Sequence, residues 1–497
     1  MLLVRRAPRL EVYWVERSPL LVYLGGFHAF PGGRVGAEDG EVPVSGVYDA
    51  AEARRRAAAA RELFEETGIL LARPVEGHRG RVPVGDERLA RRADVLEARV
   101  SFEALLAASG LEIDGGAFTP AGRWLSPPFT PRGFDTSFYL AQWPGGEEPC
   151  VVPGELASGE WVEPAEGLER WHRGKVLLAT PVKAGLAALA EWSRDEGALE
   201  AGLVRTAATL RGLPEAQGGA VERIEVVPGV VLVPLPSTTI PPATHTNCLI
   251  VGEGECLLVD PGTDDAAALA ELDAVLGRLE GRRVVAIAVT HRHRDHTAGA
   301  DEMRRRLSVP LLAHPALAPK VNADRALADG ETIELAAPSG AWRVRAHFTP
   351  GHTPDHVVFH EAERGVLVAG DLFSSLSTVV IDPPDGDLGA YMESLARVAA
   401  MPARIIFPGH GPPAGGPRER LLALREHRLE RERRVVEALQ AGAGTLDDLL
   451  PRAYADVDES QWKWGKRSLL AHLLALEKQG VARRAGSDEN AAVWSLI

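Results

Sequence analysis

Three imidazoles and a carboxylate crowd into six residues at His291-Arg292-His293-Arg294-Asp295-His296, directly after the apolar run Val284 to Val289. Neutral imidazole and carboxylate are ligands that zinc, iron and manganese accept, so this density points to a metal. An extended strand end turns alternate side chains to one side, which brings His291 and His293 together. Asp295 and His296 then open the next helix and face the same spot. Further donors stand downstream: His352 in Thr349-Pro-Gly-His352-Thr, Asp371 after the apolar run Gly365 to Gly370, and His410 in Phe407-Pro-Gly-His410-Gly. Each follows an apolar or β-branched run beside Gly or Pro, where strands stop and loops carry side chains over a rigid sheet. Asp260, in Leu257-Leu-Val-Asp260-Pro-Gly, ends another such run.

Taken in this order, the residues match the five-motif series of the metallo-β-lactamase superfamily, which the chain resembles. The resemblance implies one metal on His291, His293 and His352, a second on Asp295, His296 and His410, and Asp371 bridging them. Asp260 would orient a ligand imidazole from behind. Two cations about 3.5–4 Å apart lower the pKa of a shared water and polarise the oxygen that takes up charge, so the reaction class is hydrolysis. Asp295 and Asp371 are expected in the catalytic machinery. The expected cofactors are two Zn2+, with Fe or Mn as alternatives.

A second chemical signature lies upstream, in a helical stretch that begins near Tyr48-Asp49-Ala-Ala-Glu52 and ends Arg61-Glu62-Leu63-Phe64-Glu65-Glu66-Thr67-Gly68-Ile69. On a helix, Glu62, Glu65 and Glu66 share one face while Leu63 and Phe64 turn to a core. Three repelling carboxylates call for a cation, and Mg2+ (or Mn2+) suits them because it prefers oxygen ligands. Gly68 fits the left-handed position that stops a helix. This run resembles the helical half of the Nudix box, which implies a diphosphate hydrolase with Glu65 catalytic. Two departures stand out: the box's earlier Glu is Ala53 here, with Glu52 one residue off, and its leading Gly is displaced to Phe30-Pro-Gly32-Gly33. The displaced Gly, with Arg123-Trp124-Leu-Ser-Pro127 and Arg132-Gly-Phe134-Asp135-Thr136-Ser-Phe138, resembles the Nudix branch that cleaves coenzyme A and related nucleoside diphosphate derivatives.

The elements that must position these groups require several domains, since 497 residues exceed what one core organises. Arg211 to Gly219 combines Gly, Pro and polar residues and reads as a linker. Before it, Ala184 to Leu210 reads as helices; after it, Ile224 to Leu235 and Asn247 to Val259 read as paired strands, and Asp265 to Leu279 and Ala298 to Leu307 as helices. Arg418 to Leu439 reads as a long charged helix, Thr445 caps a short one, Trp464 to Gln479 forms another, and two short strands surround Gly486. The expected class is α/β and α+β multidomain. A Nudix α/β/α sandwich spans 1–210, a linker 211–221, a metallo-β-lactamase αββα sandwich 222–415, a connecting helix 416–440, and a winged helix 441–497.

The net charge of −14 argues against wholesale coating of nucleic acid, although Lys463, Lys466, Arg467, Lys478, Arg483 and Arg484 concentrate positive charge in the tail. Three cysteines without framework spacing suit a reducing compartment, and no 18-residue apolar run appears, so a cytoplasmic protein without membrane partners is expected. The His352-Thr-Pro-Asp355-His356 run, Tyr391-Met-Glu-Ser-Leu395, Pro408-Gly-His410-Gly-Pro412 and the tail together resemble the β-lactamase-like-protein-2 branch. That branch implies endonucleolytic cleavage of single-stranded RNA. The metal motifs are also similar to glyoxalase II, which implies an acyl thioester substrate. In a third reading, the Nudix half senses a ligand without turning it over.

Overall fold

The computed structural model describes residues 1–497 except 129, 131, 132, 194–197, 219–223 and 490. Arg132, residues 194–197 of the expected 184–210 helices, the 219–221 end of the expected linker, and positions 222, 223 and 490 therefore lie outside the described residues. The chain divides near Pro228 into two compact units.

In the first unit, Leu2–Arg6 lies between Leu10–Arg17 and Asp135–Gln142 in a six-stranded sheet. Its strands alternate strictly. Leu2, Val4, Val12 and Trp14 enter one core with the helices Pro164–His172, Thr180–Ser193 and Leu199–Arg211. Leu3, Tyr13 and Val15 enter the other, with Leu63 and Phe64 of the helix Ala50–Thr67. Because strand side chains point alternately up and down, a sheet apolar at every position must be covered on both faces. The helix Ala50–Thr67 is capped by Asp49, whose carboxylate accepts from the Glu52 amide, and ends at Gly68 with φ +75°.

The second unit has two large sheets and a two-stranded one near its end. The first runs Val230–Pro236, His245–Val251, Glu255–Val259, Arg283–Ala288, Leu311–Ala313, Arg325–Ala326. Val231, Val233, Ile250, Leu258 and Ile287 pack with the helices Ala266–Gly277 and Ala300–Leu307, while Leu232, Leu249 and Leu257 on the other face are buried too. The second sheet runs Thr332–Leu335, Trp342–Phe348, Val357–Glu361, Val366–Gly370, Ile405–Pro408, Ala414–Gly415, packed on the helix Leu388–Ala399. Glu255–Val259 and Arg283–Ala288 are parallel, as are Val366–Gly370 and Ile405–Pro408. Trp342–Phe348 is two antiparallel steps from Val366–Gly370 and so shares its direction. Asp260 and His291 thus leave one edge of the first sheet, and His352, Asp371 and His410 leave one edge of the second.

After His410 come the helices Pro417–Gln440, Leu446–Ala453 and Trp462–Lys478, then the paired strands Ala482–Ala485 and Val493–Leu496. Thr445 and Asp448 form a reciprocal capping box. Leu469, Leu473 and Trp494 join a core of their own with Val435 and Leu449, and Ala471 and Ala475 pack into the second sheet's core. The fold is mixed α/β over several sheets, closed by a tail of three helices and a two-stranded wing. Four of the tail's six basic residues named above pair with carboxylates: Lys466 with Asp447, Arg467 with Asp382 and Glu489, Lys478 with Asp387, and Arg484 with Glu477, while Arg483 bonds Ser495 and Lys463 lies over the Trp464 ring. The three cysteines are unpaired, and no described helix is long and apolar enough to cross a membrane.

Candidate metal centre

All seven donors expected from the sequence converge. His291, His293, His352 and Asp371 bring one ligand atom each within 4.8 Å of one another, and Asp295, His296 and His410 do the same. Asp371 belongs to both groups through its two oxygens. Its Oδ2 lies 3.5 Å from His352 Nε2 and 3.9 Å from His291 Nε2, and its Oδ1 lies 3.5 Å from both His296 Nε2 and His410 Nε2.

Four of the five rings, all but His293, are turned by a bond on the far nitrogen. His352 Nδ1 donates to the Val380 carbonyl at 2.8 Å, and His410 Nδ1 to the His245 carbonyl at 2.9 Å. His296 Nδ1 meets Asp260 Oδ2 at 2.7 Å. Thr290 Oγ1 donates to Asp260, so it accepts from His291 Nδ1 at 3.0 Å. A neutral imidazole that donates through one nitrogen presents a lone pair at the other, so these four rings aim lone pairs inward.

That convergence tests whether a cation fits. His293 Nδ1 lies 2.9 Å from His291 Nε2 and 3.0 Å from His352 Nε2, and His296 Nε2 lies 3.3 Å from His410 Nε2. Facing lone pairs repel unless a positive centre sits among them. Asp371 Oδ1 is buried without a hydrogen-bond partner, which is costly for an acceptor with nothing to bind. In the protein alone the balance falls to protons. Burial opposes charge on His410, yet Asp371 and Asp295 hold its pKa up at about 9. Burial, offset only in part by Asp371, holds His352 down at about 4. The donor set fits two divalent cations.

Close packing leaves no room for side chains beneath the donors. A Cβ on Gly409 would stand 2.4 Å from Asp371 Oδ1 and 2.7 Å from His296 Cε1. Gly370, at φ +46°, turns the strand end so that the Asp371 amide donates 3.0 Å to His356 Nε2. His356, part of the motif run after His352, is fully buried with Nδ1 bonded to Thr349 Oγ1 at 2.7 Å, so the structure does not offer it to substrate. Both nitrogens are used, so it supports Asp371 from below. Sequence reading missed Thr290, Val380 and Asn247. Asn247 donates to the carbonyls of Pro408 and Gly411 on either side of His410. Main-chain acceptors and a lone amide carry no pattern that would single them out.

In the first unit, Glu62, Glu65 and Glu66 share a helix face but do not converge; among the described residues, both potential metal groups lie in the second unit. Arg61 pairs with Asp39 at 2.8 Å, Glu62 at 2.9 Å and Glu65 at 3.4 Å. Glu66 accepts from the Gly32 amide at 2.9 Å, and a Cβ on Gly33 would strike Glu62. The displaced glycine loop therefore does return to the helix. Glu52 is engaged by Arg55 and Arg56 at 2.9 and 2.8 Å, so it does not replace the carboxylate lost at Ala53.

Residues 241–410 match the metallo-beta-lactamase superfamily, and residues 445–494 the beta-lactamase associated winged helix domain. A beta-lactamase-like protein 2 homolog of Drosophila melanogaster is 30% identical over 264 residues, which cover 50% of this chain and 88% of that protein. An atrochrysone carboxyl ACP thioesterase of Aspergillus fumigatus is 33% identical over 199 residues, 39% of this chain. The match spans about 60% of that relative's length. A solved NUDIX hydrolase from Alicyclobacillus acidocaldarius is 30% identical over 38% of this chain and 88% of its own, with a TM-score of 0.35. With donors, fold and relatives in agreement, the chain belongs to the metallo-β-lactamase superfamily of hydrolases and carries a C-terminal winged helix.

Proposed function

We propose that the second unit is a dinuclear-metal hydrolase acting on an acyl thioester. The observation that carries the dinuclear part is Asp371, whose two oxygens face two separate groups of donors. His291, His293 and His352 would hold one cation and Asp295, His296 and His410 the other, with Asp371 between them. When bound, such a pair lowers the pKa of a shared water and polarises the carbonyl or phosphoryl oxygen under attack. The chain's own part is to keep the lone pairs aimed: Asp260, Thr290, Val380 and the His245 carbonyl each fix one ring. Asp295 and Asp371, acidic among imidazoles, supply the negative charge that retains the cations.

Two things support thioester over single-stranded RNA: the similarity to an ACP thioesterase, and the pairing of Lys466, Arg467, Lys478 and Arg484 of the tail with carboxylates of the same chain. A backbone of phosphates needs cations free to displace its counterions. The RNA reading is favoured by the winged helix itself and by the beta-lactamase-like protein 2 homolog. Incubating the zinc-loaded full chain with acyl-CoA and acyl carrier protein thioesters and with single-stranded RNA separates them. Thiol release with intact RNA is expected; RNA cleavage without thiol release reverses the assignment of substrate.

For the first unit we propose a Nudix half over 1–210, joined by a 211–221 linker to a hydrolase over 222–415, a connecting helix 416–440 and a winged helix 441–497. Its Arg61 to Ile69 run supports a diphosphate ligand with Mg2+ (or Mn2+) near Glu62, Glu65 and Glu66. The Arg61 pairs and the occupied Glu52 favour ligand sensing over turnover. Cleavage of coenzyme A or ADP-ribose at the diphosphate into two phosphomonoesters, lost in Glu65→Gln, would establish turnover instead.

A further inference from the structure

We infer that Arg467, on the winged-helix tail, is a positioning residue for one half of the metal centre only. It holds the segment whose Val380 carbonyl sets the ring of His352. This rests on the dinuclear reading above.

The path from Phe373 to Asp387 forms no strand or helix, so no ladder holds it in register. Yet it must be held, because Val380 is the acceptor that leaves His352 Nε2 as the inward lone pair. Its ties come largely from the tail. Arg428, in the connecting helix, donates to the Val379 carbonyl. Arg467 pairs with Asp382 and also donates to the Pro383 carbonyl, a forked contact that fixes two successive residues. Lys478 pairs with Asp387, whose amide donates to Gly351 O beside His352. Val379 and Ile381 are buried in the cluster that takes Ala471 and Ala475 from the same helix as Arg467.

The segment reaches the same donor group a second time. Asp385 receives Arg292 at 3.1 Å, and Arg292 stands between His291 and His293. The other donor group meets this segment only at its start, where Ser375 donates to the Pro412 carbonyl at 2.8 Å, two residues past His410. His296 is set by Asp260, and His410 by the His245 carbonyl and the Asn247 bonds, all on strands or strand ends of the first sheet. The orienting bonds on the His296 and His410 rings therefore come from elsewhere than Arg467 and Val380. Loosening the tail's grip should weaken the His291, His293 and His352 position and spare its neighbour.

The test uses the full chain stripped of metal and titrated with Zn2+ against a chromophoric chelator, with Co2+ absorption as a second readout. Two equivalents are expected for the parent protein. Arg467→Met and Asp382→Asn should each keep one equivalent at parental affinity and weaken the other by about 10–100-fold, the usual effect of removing a group that orients a ligand. Arg467→Lys should recover part of the loss. Lys466→Ala, which removes a pair with Asp447 inside the tail, should bind both equivalents unchanged. Parental affinity at both positions in Asp382→Asn, or equal weakening of both, overturns the positioning role and leaves the dinuclear reading standing. A parent protein that takes up fewer than two equivalents overturns the dinuclear reading itself. Should Arg467→Met fail to fold by circular dichroism, the near-isosteric Asp382→Asn decides alone.

Discussion

Asp260 accepts the Nδ1 proton of His296 at 2.7 Å while its own backbone stands at φ +51°, in the left-handed region that side chains other than glycine rarely occupy. The same carboxylate takes the amide and the hydroxyl of Thr290, both at 2.7 Å. Three bonds converge on one buried group, and the backbone strain persists because they over-determine it. Asp260→Ala is expected to lower zinc affinity and activity by about 10–100-fold through the misaimed His296 ring. Unchanged metal uptake and turnover in that variant would show that the ring holds its direction without this carboxylate.

Removing Asp371 should do more. Its two oxygens face both donor groups, so Asp371→Ala deprives each of a negative ligand at once. Activity is expected to fall by more than the ~100-fold upper range seen for orienting groups. Metal analysis should find fewer than two equivalents retained after dialysis.

Gly409→Ala probes the same point by volume. The added Cβ would lie 2.4 Å from Asp371 Oδ1, so the carboxylate or the His410 loop must shift. A displacement of about 1 Å in a catalytic group costs on the order of 100-fold in rate. Turnover should drop by that order while the circular dichroism spectrum is retained; a fully active variant would mean the loop yields without moving Asp371.

The first unit carries a pH dependence. Burial, opposed by the Gly32 amide and reinforced by Glu62, raises the Glu66 carboxyl from 4.5 to about 7. The folded state then binds this proton more tightly than the unfolded chain. Its contribution to stability is complete below about 4.5 and is lost as pH rises through about 7. Thermal melts without added metal should show the first unit's Tm falling across that window. Glu66→Gln should flatten the slope, and Mg2+ should oppose the fall above pH 7 if it binds the carboxylate. A slope unchanged in Glu66→Gln would assign the dependence to another group.

Much of the site is legible in the sequence because its signals are local. His352, Asp371 and His410 each follow an apolar run closed by Gly or Pro, the other four donors crowd into six residues, and the helix of Glu62, Glu65 and Glu66 is written by 3.6-residue spacing between Asp49 and Gly68. Sequence is a poor guide where the decisive partner is distant. His356 resembles its neighbour His352 in its local setting, yet only packing places it under Asp371. Glu52 resembles a substitute ligand, yet Arg55 and Arg56 occupy it.

The residue types and their order determined by themselves seven candidate divalent-cation donors after strand ends, two of them opening a short helix, because ligand chemistry and element termination are properties of short stretches. Tertiary structure alone decided which nitrogen of each ring faces inward and where the tail's positive charge goes. Arg467 and Lys478 find carboxylates 85 and 91 positions away. Hydrogen bonds and ion pairs act through a few ångströms of space, and distance along the chain does not record that proximity.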